Sequence, residues 1–368
     1  MIKIVLVGGH LSPALATVER LAQRKEIEVV FFGRKHPVEG AKSLSAEFKL
    51  INDLNIKFYT INAGRLQRKF TRYTIPSILK IPFGFLQSLI FLIIERPKLV
   101  ISFGGYLSTP VVFAAWLMGI DSVSHEQSII PGLSTRINSI FAQKVFLTWQ
   151  QSQRYFSKDQ KFTLIGNLIR PSLFKKDHQS TKITDFINRS TKLIYITGGN
   201  LGSHFLNQLI FRLIEGLAGF QILHQIGTVN KKDLDYALQV KKSSYLAVDY
   251  LTSEAQGAVL TCSEVVIARS GANTIWDLAL LAKCAILVPL PISASGEQEA
   301  NAQILKNAGS AIVVNQDQLT PEVMMSKIAH ISKNLSQYQK AAYAFQKTLP
   351  KDGLEKFSAY LFKVLQEN

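Results

Sequence analysis

Short apolar runs that end on glycine-rich turns and lead into helical patterns recur in both halves of this chain, and that alternation limits the fold more than any other feature. In the clearest case Lys98-Leu-Val-Ile-Ser102 reads as a parallel-sheet strand, after which the backbone turns through Gly104 and Gly105 into an apolar helix over Val111–Met118. A ligand can approach such a turn closely, because glycine carries no side chain. Ile120–Ser124 reads as a further short strand that delivers His125, Glu126 and Gln127 to the same carboxyl edge, where open α/β sheets bind their ligands. Strands over Lys3–Val7, Glu28–Phe32, Leu99–Phe103 and Asp121–Ser124, with a helix over Pro13–Arg24, predict a doubly wound parallel sheet. Strands over Lys192–Thr197, Gln221–Gln225, Val265–Ala268 and Ala285–Val288 predict a second one, with helices over His204–Glu215 and Asn273–Ala282.

A length of 368 residues exceeds the range over which one core keeps growing, which favours two domains. Ser172–Ser190 is polar and lacks a strand pattern, so it reads as the linker, with the crossover starting near Asn167. The expected domains are 1–166 and 167–345. The remaining 346–368 carries a helical stripe of Phe357, Tyr360, Leu361 and Val364 that either closes the second domain or packs back on the first.

Lysine and arginine number 42 against 26 acidic residues, a net charge of +16 with a pI near 9.7, so an anionic partner is expected. A phosphorylated substrate and an anionic membrane surface both fit. Nucleic acid is disfavoured by the lack of zinc-finger spacing, RNP-type aromatics or a long basic arm. Cys262 and Cys284 lie in apolar stretches without metal-ligand spacing, which predicts buried thiols in a reducing cytosol. The amino terminus runs from Met1 straight into the first strand and does not read as a signal peptide.

One segment resists a soluble reading. Ile75–Ile94 is nearly all apolar, with Lys80 as its only charge, yet Pro76, Pro82 and Gly84 interrupt its first half and argue against a membrane span. The basic cluster Arg65-Leu-Gln-Arg-Lys-Phe-Thr-Arg72 precedes it. Basic residues beside exposed apolar ones suit a protein lying on an anionic leaflet; a buried core helix after a solvated loop is the alternative.

Gly8-Gly-His10 follows the first strand and precedes a helix with Pro13 early in its first turn, a place where amide groups can hold a diphosphate. His10 suits either a general base or a histidine capping the turn. Thr197-Gly-Gly-Asn-Leu-Gly202 and Arg269-Ser-Gly-Ala272 repeat the arrangement in the second half and together can grip a nucleotide diphosphate. Asp277 follows on the helix after Gly271, either as an acceptor for ribose hydroxyls or as a solvated helix charge. Asp233-Leu-Asp235 sits among lysines and reads as solvated helix surface, so no metal site is expected.

These segments resemble the MurG family. The match runs through Gly-His-x-x-Pro-Ala-Leu at 9–15, Gly-Gly-Tyr-x-Ser-x-Pro at 104–110, His-Glu-Gln at 125–127 and Pro-Gly-Leu at 131–133. It continues in order through Gly-Asn-x-x-Arg-Pro at 166–171, His-Gln-x-Gly at 224–227, Arg-Ser-Gly-Ala at 269–272 and Gln-x-x-Asn-Ala at 298–302, covering almost the whole chain. The resemblance implies a GT-B fold, α/β, with two Rossmann-like domains whose parallel sheets face across a cleft. It implies inverting, metal-independent transfer of N-acetylglucosamine from UDP-N-acetylglucosamine to the C4 hydroxyl of muramic acid in an undecaprenyl-diphosphate-linked peptidoglycan precursor. No cofactor is implied. The enzyme would sit peripherally on the cytoplasmic face of the cell membrane, in reach of other wall-synthesis proteins.

By position, His10 resembles the family's base, with Gly8 and Gly9 forming the turn near the acceptor diphosphate. Glu126 resembles the acidic residue of the cleft edge and Tyr106 the aromatic beside the acceptor. Arg170 would face the UDP phosphates with the turn of Gly199 and Asn200. Leu251 would read the uracil through its backbone. Ser270, Gly271, Ala272, Asn273, Thr274 and Asp277 would hold ribose and phosphate, Gln298 would contact the sugar, and Asn301 is a further substrate-binding position. The first glycine loop is shorter than the family's, and Ser128, Asn200 and Asp277 stand where asparagine, serine and glutamate are usual. Alternatives are a GT-B transferase acting on another membrane lipid, such as diacylglycerol, and a non-catalytic wall-synthesis scaffold.

Overall fold

The apolar runs become strands, each continued by a helix that returns the chain to the sheet's starting edge. The structure, a computed structural model, describes residues 1–36, 44–64, 74–157, 162–174, 181–189, 192–293 and 296–367. The basic cluster Arg65–Arg72 lies outside the described residues. Two units result, one of 1–170 with 352–368 and one of 171–351.

Unit 1 begins β1 (Ile2–Val7), α1 (Leu11–Leu21), β2 (Ile27–Gly33), α2 (Ala46–Asp53), β3 (Lys57–Thr60) and α3 (Thr74–Glu95). It continues β4 (Leu99–Ser102), α4 (Ser108–Leu117), β5 (Asp121–Glu126), α5 (Leu133–Phe141), β6 (Lys144–Leu147) and β7 (Phe162–Leu164). The sheet is parallel in the order β3-β2-β1-β4-β5-β6-β7. Its order reverses between β1 and β4, where Val7 lies beside Ser102. Side chains of β4 are buried along its whole length, as expected of a strand covered on both faces.

Unit 2 runs α6 (Thr181–Asn188), β8 (Leu193–Thr197), α7 (His204–Phe211), β9 (Gln221–Gln225), α8 (Lys231–Gln239), β10 (Tyr245–Val248) and α9 (Ser253–Cys262). There follow β11 (Ser263–Ala268), α10 (Ala272–Leu280), β12 (Cys284–Leu287), α11 (Glu297–Asn307), β13 (Ala311–Val313), α12 (Pro321–Lys333) and α13 (Leu335–Gln346). Its parallel order is β10-β9-β8-β11-β12-β13, reversing between β8 and β11, where Thr197 lies beside Ala268. The segment read as the linker follows the division of the units and contains a 3-10 turn at Pro171–Phe174 and α6, whose Ile187 is buried. One apolar side chain per turn is enough to seat so short a helix. Of the two thiols only Cys284 is buried; Cys262, the last residue of α9, is exposed.

The chain ends in α14 (Gly353–Glu367), which packs on the first sheet beside α1. Phe357 and Leu361 are fully buried there, and the Phe357 ring lies 4.9 Å from that of Phe146 on β6. The opposite face of this sheet is covered by α3 and α4. The end of α3 is fixed by Glu95, which is buried and receives Lys3 Nζ at 2.8 Å, Lys57 Nζ at 2.6 Å and the Tyr59 hydroxyl at 2.6 Å. Burial pushes this carboxyl up, but those three donors outweigh it and hold it at about 2.

Candidate active site

The glycine turns expected to bind phosphate stand at the two switch points, where adjacent connections leave the sheet in opposite directions and open a crevice. In unit 1 the Gly8–His10 turn packs backbone to backbone on Gly104–Gly105. A Cβ at Gly9 would overlap the Gly104 carbonyl, and one at Gly105 would come 3.0 Å from Gly9 Cα. Gly104 and Gly105 both have positive φ, 75° and 76°, where an L side chain is strained. The Gly8 and His10 amides are already donated to Phe32 O and Phe103 O, so an anion here is left to Gly9 and the first-turn amides of α1.

His10 occupies the N-cap position of α1, yet its side chain makes no cap hydrogen bond. Its imidazole lies near Gly104, with Cδ2 3.9 Å from where that residue's Cβ would stand, and the Thr135 hydroxyl is at 3.2 Å from the same point. Tyr106 is half-buried at the start of the next connection. Glu126 is buried, and its Oε1 accepts the Ser128 amide at 2.9 Å, closing the loop after β5 on itself. Ser128 is buried as well, its carbonyl accepting the Ser152 hydroxyl. His125 is fully buried and pushed down to about 4 by that burial; its neutral ring donates from Nε2 to Gly166 O at 3.0 Å and accepts Gln127 Nε2 on Nδ1. Arg170, the last residue of unit 1 before the division, pairs with Glu19 on α1 at 3.6 Å.

In unit 2 the Gly198–Gly202 turn packs on Gly227, since a Cβ at Gly202 would overlap the Ile226 carbonyl and one at Gly227 would overlap Gly202. Gly199 has φ of 82° and faces open space, with Asn200 exposed next to it. Arg269 is buried beneath this turn. It donates to the Ser203 hydroxyl, to the carbonyls of Val288 and Pro289, and to Gln316 Oε1, tying the turn to the end of β12. Gly271 is the N-cap of α10, so Ala272, Asn273 and Thr274 form its first turn, while Ser270 is buried under it and accepts Asn301 Nδ2 on its carbonyl at 3.3 Å. Asp277 is half-buried and accepts Gln256 Nε2 at 3.4 Å. Gln298 takes the Leu290 amide at 3.0 Å, and Leu251 is buried. Each expected residue thus has a place in its own unit; Gly8, Gly9, His10 and Tyr106 are gathered at one switch point, Gly199, Asn200 and Ser270–Thr274 at the other.

Asp233 is not the solvated helix surface expected of it. It is buried and accepts from His204 Nδ1, Asn207 Nδ2 and Gln208 Nε2 at 2.9, 2.9 and 3.0 Å, whereas Asp235 is exposed. The reason is tertiary: α7 lays three donors over the first turn of α8. No group of three His, Cys, Asp or Glu side chains arranged for a metal occurs among the described residues.

The exposed face of α3 is apolar. Leu79, Phe83, Leu86, Ile90, Ile93 and Ile94 are 45–71% exposed, spaced to form one stripe, so the buried-core alternative for this helix fails. The Phe85 ring of α3 lies tilted, 5.3 Å from that of Phe113 of α4, which with Trp116 meets Phe141 of α5, extending the patch across three helices. Among the described residues no helix is long and apolar enough to cross a membrane.

Models for the glycosyltransferase family 28 N-terminal and C-terminal domains match residues 7–147 and 193–356. A UDP-N-acetylglucosamine–N-acetylmuramyl-(pentapeptide) pyrophosphoryl-undecaprenol N-acetylglucosamine transferase from Clostridium perfringens (strain SM101 / Type A) is 32% identical over 344 residues, 91% of this chain and 92% of that protein. The crystal structure of Acinetobacter baumannii MurG superposes with a TM-score of 0.69 at 22% identity, covering 99% of this chain and 100% of that one. The fold is shared more widely, since a UDP-GlcNAc 2-epimerase from Neisseria meningitidis bound to UDP-GlcNAc gives 0.68 at 16% identity over 99% and 100% of the two chains. With its turns at both switch points and a relative of this identity matched along nearly its whole length, the chain belongs to glycosyltransferase family 28, among the MurG transferases.

Proposed function

We propose that this protein transfers N-acetylglucosamine from UDP-N-acetylglucosamine to the C4 hydroxyl of muramic acid in an undecaprenyl-diphosphate-linked peptidoglycan precursor, with inversion and without a metal. The observation that carries this reading is the likeness, over 91% of the chain, to a transferase named for that donor and acceptor. In unit 2 the N-terminus of α10 and the open turn at Gly199 and Asn200 supply amides to the UDP diphosphate. Arg170 adds charge when it exchanges Glu19 for phosphate. Asp277 accepts the ribose hydroxyls, the Leu251 backbone reads the uracil, and Gln298 and Asn301 meet the sugar. In unit 1 the acceptor diphosphate lies on the Gly8–His10 turn beside Tyr106, and His10 removes the C4 proton as that oxygen attacks the anomeric carbon and UDP departs. Glu126 acts through its loop, holding Ser128 in place.

The apolar stripe of α3, with the basic cluster before it, sets unit 1 on an anionic leaflet at the cytoplasmic face, where a lipid diphosphate and other wall-synthesis proteins are in reach. UDP release measured with a panel of lipid acceptors tests this function. Release with the muramic-acid lipid and none with diacylglycerol is expected; the reverse pattern indicates another lipid glycosyltransferase, and binding of UDP-sugar without release on any acceptor indicates a scaffold. Asp277→Ala is expected to weaken UDP binding by about 1 to 3 kcal/mol through lost charge-assisted hydrogen bonds. Calorimetry in EDTA checks this together with metal independence; unchanged affinity in the variant removes Asp277 from the site, and loss of wild-type binding on chelation overturns metal-free binding.

A further inference from the structure

Glu47, in the first turn of α2, takes no part in the mechanism above, yet it lies against the turn proposed to hold the acceptor diphosphate. Ser45 caps α2 by accepting the Phe48 amide at 3.0 Å, donates its hydroxyl to Arg34 O at 2.7 Å and its amide to Lys35 O at 2.8 Å. These bonds fold the start of α2 over the end of β2. The Glu47 side chain is thereby carried between two strand ends: a Cβ at either Gly8 or Gly33 would overlap the same Glu47 oxygen, Oε1. The carboxyl fits only because both positions are glycine. Phe31 and Phe58 crowd the same two glycines. Glu47 is 8% exposed, and its Oε1 has no hydrogen-bond partner.

A buried carboxyl oxygen without a donor is costly when ionised, and in a native structure it needs a reason. Burial pushes this acid up to about 7, against the opposing charge and backbone hydrogen bond of Arg34. Arg34, on the connection from β2 to α2, is the charged group acting on it among the described residues; Gly8, Phe31, Gly33 and Phe58 carry none. An anion held on the next two residues of the Gly8 turn is a like charge beside this carboxyl, and a nearby like charge moves a carboxyl by roughly one unit or more toward its protonated form.

We propose that Glu47 is a positioning residue of the acceptor site, taking a proton from solvent when the anionic diphosphate binds the Gly8–His10 turn and returning it when the product leaves. The proposal rests on the acceptor placement given under the proposed function. Ionised Glu47 opposes the acceptor and leaves the donor, bound by unit 2, untouched.

Steady-state kinetics from pH 6 to 9 test it, because the phosphates of the acceptor are diesters that do not titrate in that range. In wild type, kcat/KM for the acceptor should fall about tenfold or more as pH rises through 7 to 9, with the KM for UDP-N-acetylglucosamine flat. In Glu47→Gln, which keeps the shape without the charge, that fall should disappear while the value at pH 6 is retained. The same fall in Glu47→Gln, or an acceptor KM raised at every pH, overturns the proposal. Should the variant fold poorly, calorimetry of acceptor binding to His10→Ala, which removes the other titratable group of the turn, at pH 7.5 in buffers of different ionisation enthalpy decides: uptake of a fraction of a proton supports coupling, and none refutes it. Acceptor turnover by wild type at pH 6 separates this from the function itself. If none occurs, the functional reading fails, and a P1,P2-dialkyl diphosphate probe, whose phosphates likewise do not titrate in this range, compared between wild type and Glu47→Gln at pH 6.5 and 8.5, still decides the coupling.

Discussion

Replacing His10 by alanine is expected to lower turnover by about a hundred- to ten-thousandfold, the usual cost of removing a general base, while donor binding stays near wild type. The split follows from position. His10 stands at the head of α1 in unit 1, beside Gly104 and near Thr135, and makes no cap bond that its loss would break. The groups proposed for the donor, Arg170 apart, belong to unit 2. Initial rates with saturating lipid acceptor, together with calorimetric titration of UDP-N-acetylglucosamine, measure the two effects separately. Near-normal turnover in His10→Ala leaves this residue with a structural role only, and parallel loss of donor affinity places it at the nucleotide.

A second large effect is expected on the surface of α3. Leu79, Phe83, Leu86 and Ile90 lie on one stripe and are each about half exposed or more. Fully burying such a side chain is worth about 1.5 to 3 kcal/mol, so partial entry into the headgroup boundary gives about 1 kcal/mol apiece. Changing all four to glutamine should therefore reduce partition onto anionic liposomes by roughly a thousandfold. Arg65, Arg68, Lys69 and Arg72, changed to glutamine, should each remove about 1 kcal/mol more at low salt. Flotation across a series of anionic lipid content and ionic strength reads both variants. Equal flotation of wild type and the α3 variant removes this face as the membrane contact.

Much of this arrangement is legible in the residues because parallel strands are buried on both faces and read as unbroken apolar runs. The glycine turns carry a similar signal: Gly104, Gly105 and Gly199 take positive φ, and Gly9 and Gly202 meet another backbone, demands that few other residues satisfy. What escaped is of two kinds. Edge strands such as β7 and β13 are three residues long with partial burial, too short for any period to show. Buried acids are the other kind. Nothing local distinguishes Asp233 from its exposed neighbour Asp235, since its donors come from α7, and Glu47 is buried because Gly8 and Gly33, far from it in sequence, leave room. His10 shows the reverse case, a residue whose place at the head of α1 was legible from the turn that precedes it.

The proposed reaction joins the sugar of UDP-N-acetylglucosamine to muramic acid C4 on a lipid diphosphate. The most direct measurement incubates the protein with UDP-N-acetylglucosamine labelled with carbon-13 at the anomeric carbon and the undecaprenyl-diphosphate-linked muramic acid acceptor, and follows that carbon by NMR and mass spectrometry. The prediction is one N-acetylhexosamine added per lipid, β-linked to C4, with UDP released in equal amount. A label that remains on UDP as the 2-epimer, joins the lipid through another hydroxyl, or appears only as free sugar would contradict it.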